Sequence, residues 1–309
     1  MDIQVIVLQM IQLFLVIALG YLLLKIKILD VDFNQRLTTL LLSVTTPALI
    51  VSSVLSTTIE KDLSEIIFVF IVAIVIFMVL PILGLIIVKI MKVPLHQQGL
   101  YIFMTMFSNI DFMGFPVMKS IFGNEAVFLT AIFNMLFNLL VFTVGILFMN
   151  YRSAEKISIN LRQLFSPGVV SSLVALLIYL TGFQMPDIIS STITMIGDIT
   201  TPIAMMLIGS TLATIPLKEV FNELKVYPYT ILKQIIIPII AYPILNFFIK
   251  DALILGVSLI MISMPVGNIA VLFATEYHKD VALAAKTVFM TTLLSIITIP
   301  LIVALFLTS

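Results

Sequence analysis

The sequence predicts an all-α integral membrane protein: ten transmembrane helices in two inverted five-helix repeats, with helices 4 and 9 broken and crossing. Three observations carry this. Of 309 residues, 61% are hydrophobic and only 10% are charged, with a mean hydropathy of +1.24. That is more apolar surface than a soluble domain buries, and roughly 20 apolar residues span a bilayer. Basic residues alternate between the two sets of loops, and short proline-bearing signatures recur in the same order in each half of the chain.

Taken in order, the expected spans are 3–24, 36–57, 65–89, 97–122 (broken), 124–149, 168–183, 197–215, 227–249, 252–278 (broken) and 280–306. The N-terminus has no basic residue before its apolar run, so a cleaved signal peptide is not expected. Residues 184–196 read as an interfacial lead-in to span seven. Loops after the odd spans hold Lys25, Lys27, Arg36, Lys89, Lys92, Arg152, Lys156, Arg162, Lys218, Lys225 and Lys279, and loops after the even spans hold Lys61, Lys119 and Lys250. Eleven against three puts the first set in the cytoplasm, and both termini on the other side of the cell membrane.

Thr45-Thr46-Pro47 recurs as Thr200-Thr201-Pro202 after 155 residues, and Pro116-Val117 as Pro265-Val266 after 149. Asn138-Leu139-Leu140 is echoed by Thr292-Leu293-Leu294 after 154. These matches divide the chain into a first repeat at 1–150, a cytoplasmic loop at 151–167 and a second repeat at 168–309. Five is odd, so the second copy enters from the opposite side, a common plan of secondary transporters.

The candidate site lies where helix breakers and polar side chains interrupt apolar runs: Asn109, Asp111, Gly114 and Pro116 in span four, and Pro265, Gly267 and Asn268 in span nine. Pro116 and Pro265 are expected to begin second half-helices, whose N-termini favour an anionic group. Simple kinking is the competing reading for both, and is the expected role of Pro81, Pro228, Pro238, Pro243 and Pro300. Asn109 and Asn268 supply donors and acceptors for a polar ligand, or else bridge helices. Asp111 is costly at membrane depth, so it should face a cavity, meet a cation or carry a proton. It is the candidate coupling group, with a polar structural partner as the alternative. Thr45, Thr46, Thr200 and Thr201 either bond carbonyls freed by the following prolines or line the cavity. Lys233 and Lys286 read as snorkelling side chains, with Glu276 a candidate partner.

Several classes are excluded. There is no cysteine, and no zinc-binding or nucleotide-binding motif, so no metal, cofactor or direct ATP use is expected. Nothing points to nucleic acid. An intramembrane aspartyl protease using Asp111 and Asp198 is a remote alternative, because Ile110 and Met195 break its usual signatures.

Asn109, Gly114 and Pro116 form an N-x-x-x-x-G-x-P element, and Pro265-Val266-Gly267 is followed by Phe273-Ala274 and Glu276-Tyr277. With Asn34, Pro47, Pro202 and Gly209, these resemble the auxin efflux carrier family, which includes plant exporters and bacterial malate permease-like proteins. The fold is shared with bile acid:sodium symporters. The resemblance implies a scaffold and a crossover transport domain, elevator-like motion, a homodimer, and a small organic anion as substrate. It makes Asn109 a substrate contact and Pro116 and Pro265 the crossing points. Asp111 departs from the family, and a negative charge there would repel an anion unless protonated. H+ and Na+ are the candidate coupling ions, sodium symport of an organic or amino acid being the runner-up mechanism.

Overall fold

A computed structural model describes residues 3–55, 63–151, 165–215 and 220–307. Lys61, Arg152, Glu155, Lys156, Arg162 and Lys218, and most of the expected loop 151–167, lie outside the described residues. The described chain is helical throughout, with a single isolated backbone bridge and no strand. Among the described residues, six helices are long and apolar enough to cross a membrane: α2 (Val31–Leu55), α3 (Leu63–Ile90), α6 (Asn124–Met149), α8 (Asp187–Thr214), α9 (Val226–Phe248) and α12 (Val281–Phe306). The others are α1 (Ile3–Lys25), α4 (Leu95–Met106), α5 (Ile110–Gly114 continuing into Phe115–Phe122), α7 (Pro167–Thr181), α10 (Ala252–Ser263) and α11 (Ile269–Glu276).

Helix ends follow local chemistry. Asp30, Asp251 and Asp280 accept the N–H of Phe33, Ile254 and Leu283 at 2.7, 2.8 and 2.9 Å. Each thereby satisfies one of the unpaired donors of a helix start. Gly182, at φ 63°, closes α7. The expected lead-in before span seven is helical from Asp187. The helix is interrupted only at Ile199, because Pro202 has no N–H for the Asp198 carbonyl.

Three other prolines are absorbed by π-helical turns. Leu41–Thr45, Ile110–Gly114 and Leu232–Ile236 each end two residues before a proline, Pro47, Pro116 and Pro238 respectively. A widened turn relieves the clash between a proline ring and the carbonyl four residues back. A fourth such turn, Val141–Gly145, sets Gly145 against the rings of Phe103 and Phe107.

The chain forms two compact units, each built from both halves of the sequence. The first draws on residues 1–71, 110–135 and 165–214. Its axis is α1 packed along the second part of α8. A Cβ on Gly209 would lie 1.8 Å from the Ile17 carbonyl oxygen, and one on Gly20 would lie 2.1 Å from that of Met206. Only glycine permits this approach, the usual device of membrane helix packing. Asn34 in α2 fixes the same helix, donating to Ser210 Oγ at 2.6 Å. The second unit draws on residues 72–109, 136–164 and 215–309. It contains α4, α9, α10, α11 and α12, and with them the two interruptions described next.

Candidate functional site

Helix α10 ends before Pro265, which pushes Met264 into an extended conformation, φ −60° and ψ 146°. The chain becomes helical again after Asn268. Helix α4 ends at Phe107, φ −108° and ψ 90°, and helix resumes after Asn109. The two interruptions pair antiparallel. Asn109 donates its N–H to the Pro265 carbonyl at 2.8 Å, and Gly267 donates to the Phe107 carbonyl at 3.0 Å, with Ser108 opposite Val266. All six residues are buried. Unpaired backbone groups cost several kcal/mol in a water-free interior, so each break supplies the other's missing partners.

This relocates one expected crossing point. Pro265 lies in its break, but Pro116 lies six residues past the start of α5 and does not begin the half-helix. The ring is accommodated by the π-helical turn ahead of it, so the two prolines are not equivalent in position. Gly114 is buried with right-handed helical angles, φ −58° and ψ −59°, and needs no glycine-specific conformation. The positions that do correspond are Asn109 and Asn268, each directly preceding a helix. Asn109 is 3% exposed, while Asn268 is half-buried.

One turn of α9 braces both interruptions. Val266 donates its N–H to Thr291 Oγ1 at 3.1 Å, and Gln234 Nε2 donates to the Thr291 carbonyl at 2.8 Å. The neighbouring Lys233 reaches the other break, donating to Ser108 Oγ at 3.0 Å and to the Thr105 carbonyl at 3.4 Å. Lys233 is 1% exposed, and among the described residues no carboxylate pairs with it. The last carbonyls of α4 have no helical partners and carry about half a negative charge, which offsets part of the cost of the buried ammonium. Snorkelling is therefore wrong for Lys233. The legible signal was Lys233-Gln234 itself, two consecutive polar residues in an apolar run five and four positions before Pro238. Lys286 pairs with Glu223 at 3.8 Å, and not with Glu276, which is exposed.

In the first unit, Asp111 is half-buried in the π-helical turn of α5, and the Asn134 side chain lies within its hydrogen-bonding reach. Asp198 is ion-paired with Lys119 and 57% exposed, which fits an interfacial residue and not half of a buried aspartyl dyad. Thr45 Oγ1 bonds back to the Leu41 carbonyl at 3.4 Å. The hydroxyls of Thr46 and Thr200 are buried and have no hydrogen-bond partner among the described residues, so carbonyl back-bonding does not account for them. Thr201 is half-buried. No cluster of metal-ligating residues occurs among the described residues.

Apolar membrane-length helices and two interrupted helices paired at their breaks define a polytopic helical membrane protein. A family model described as membrane transport protein matches residues 5–159 and 154–303. The chain belongs to this family of membrane transport proteins, which includes the auxin efflux carriers. It is similar to an uncharacterized transporter of Methanothermobacter thermautotrophicus, 30% identical over 195 residues, 62% of this chain and 63% of that protein. It is also similar to an uncharacterized transporter of Methanocaldococcus jannaschii, 28% identical over 221 residues, 69% of this chain and 70% of that protein.

Proposed function

We propose that the protein is a secondary transporter moving a small organic anion, a carboxylate, dicarboxylate or auxin-like acid, across the cell membrane by elevator-type alternating access. In this reading ten spans form two inverted five-helix repeats, 1–150 and 168–309, joined by the cytoplasmic loop 151–167. Both termini are extracytoplasmic, and two copies form a homodimer. One observation carries the proposal: two helices break, pair through reciprocal hydrogen bonds and resume directly after an asparagine. Helix starts hold unpaired N–H groups and about half a positive charge each, a ready site for a carboxylate.

Asn109 and Asn268 bind the substrate, and Pro265 and Gly267 shape the backbone that presents them. Asp111 carries the accompanying proton, since a protonated side chain does not repel an anion. Gly114 and Pro116 hold the turn that presents it. Thr45, Thr46, Thr200 and Thr201 line the path.

The test is uptake into proteoliposomes across a panel of labelled organic acids, beside thermal melts of the same proteins. Asn109→Ala should weaken substrate binding and leave the melting temperature unchanged. Asp111→Asn should abolish the pH dependence of uptake. Lost stability with intact affinity would make Asn109 structural, and an unchanged pH profile would remove Asp111 from coupling.

A further inference from the structure

The transport reading gives Lys233 no role. A buried lysine ordinarily meets a carboxylate. This one meets a hydroxyl and a main-chain carbonyl where α4 comes to an end, at 3.0 and 3.4 Å. Hydroxyl and carbonyl oxygens at the C-terminal end of a broken helix are the ligands with which discontinuous membrane helices hold free monovalent cations. Here they are already occupied by a charge that the chain brings itself.

We propose that the Lys233 ammonium is a tethered substitute for an alkali cation at the crossing, so that the protein needs no sodium there and the empty space left by the side chain becomes a monovalent-cation site. The surroundings agree. The main chain of Phe107–Asn109 is tied to Pro265 and Gly267 by two hydrogen bonds, which oppose its collapse into the space when the side chain is removed. Nearby polar groups are committed or neutral: Thr105 Oγ1 donates to the Tyr101 carbonyl at 2.8 Å and lies 3.3 Å from the Tyr229 hydroxyl. No carboxylate among the described residues neutralises Lys233, so nothing on the protein becomes an unpaired anion when the lysine is lost.

The inference goes beyond the transport reading, because it is tested without any substrate. Thermal melts of the purified protein are compared in choline, sodium, potassium and methylammonium chlorides at equal ionic strength. The wild type should melt at one temperature in all four. Lys233→Ala should melt lower in choline, by about 5 °C or more. Sodium, potassium or methylammonium should restore at least half of that loss in a saturable way. Lys233→Met, which refills the space with an apolar chain, should be destabilised and unresponsive to every cation. A saturable sodium stabilisation of the wild type would overturn the proposal. So would a Lys233→Ala protein indifferent to all four salts, or equal rescue of Lys233→Met. If Lys233→Ala cannot be purified, binding of radioactive sodium to the wild type decides it, since saturable uptake at the crossing contradicts a site already filled.

Discussion

Replacing Gly267 by alanine tests the crossing directly. The added Cβ would stand 3.0 Å from the Ser108 carbonyl oxygen and 3.2 Å from that of Phe107. Gly267 is not in the left-handed region, so the substitution carries no conformational penalty and its effect is one of contact. Relief requires the facing segment to retreat by a few tenths of an ångström. That segment is pinned. The Phe107 carbonyl accepts from Gly267, the Asn109 N–H donates to Pro265, and Ser108 Oγ accepts from Lys233. Overfilling a close-packed buried site costs about 1–3 kcal/mol. At about 1.4 kcal/mol per decade, that lowers the folded-to-unfolded ratio by a factor of roughly 5 to 150. The assay is thermal melting of the purified protein in detergent, followed by monodispersity after heating. Gly267→Val adds two more carbons at the same place and should melt lower still. If both variants melt with the wild type, the interruptions are not held against each other as described, and the argument for a rigid crossing fails.

Gly209→Ala should destabilise more than Gly267→Ala, because its Cβ falls 1.8 Å from the Ile17 carbonyl oxygen and 2.8 Å from the Tyr21 nitrogen, both main-chain atoms. Helices α1 and α8 must separate to admit it, a cost at or above the upper end of the overpacking range of about 1–3 kcal/mol. The same melts rank the two variants, and a milder effect of Gly209→Ala would contradict the packing. Thr291→Val removes the oxygen that accepts the Val266 N–H and leaves a buried donor unpaired, at about 1–3 kcal/mol. Thr291→Ser retains the hydroxyl and should melt within about 1 kcal/mol of the wild type. Equal melting of the valine and serine variants would remove Thr291 from the network.

Much of the molecule was legible without coordinates. The membrane class and most helix positions follow from hydropathy, which is a sum over neighbouring residues and needs no tertiary partner. The break in the second half was also legible, because Pro265 alone stops α10 and extends Met264. The break in the first half was misplaced. No proline or glycine lies within Phe107–Asn109, and the one nearby proline sits inside a helix that a π-helical turn has widened to receive it.

By itself, then, the sequence determined a polytopic helical chain with a polar interruption in each half, because apolar length and proline chemistry act locally. Only the tertiary structure decided where α4 stops and what Lys233 does. An interruption at Phe107–Asn109 is tolerable in an apolar interior only when Pro265 and Gly267 offer the matching carbonyl and N–H. A lysine reads as a snorkelling surface residue until packing closes around it and leaves it only a helix's unpaired carbonyl end and one hydroxyl.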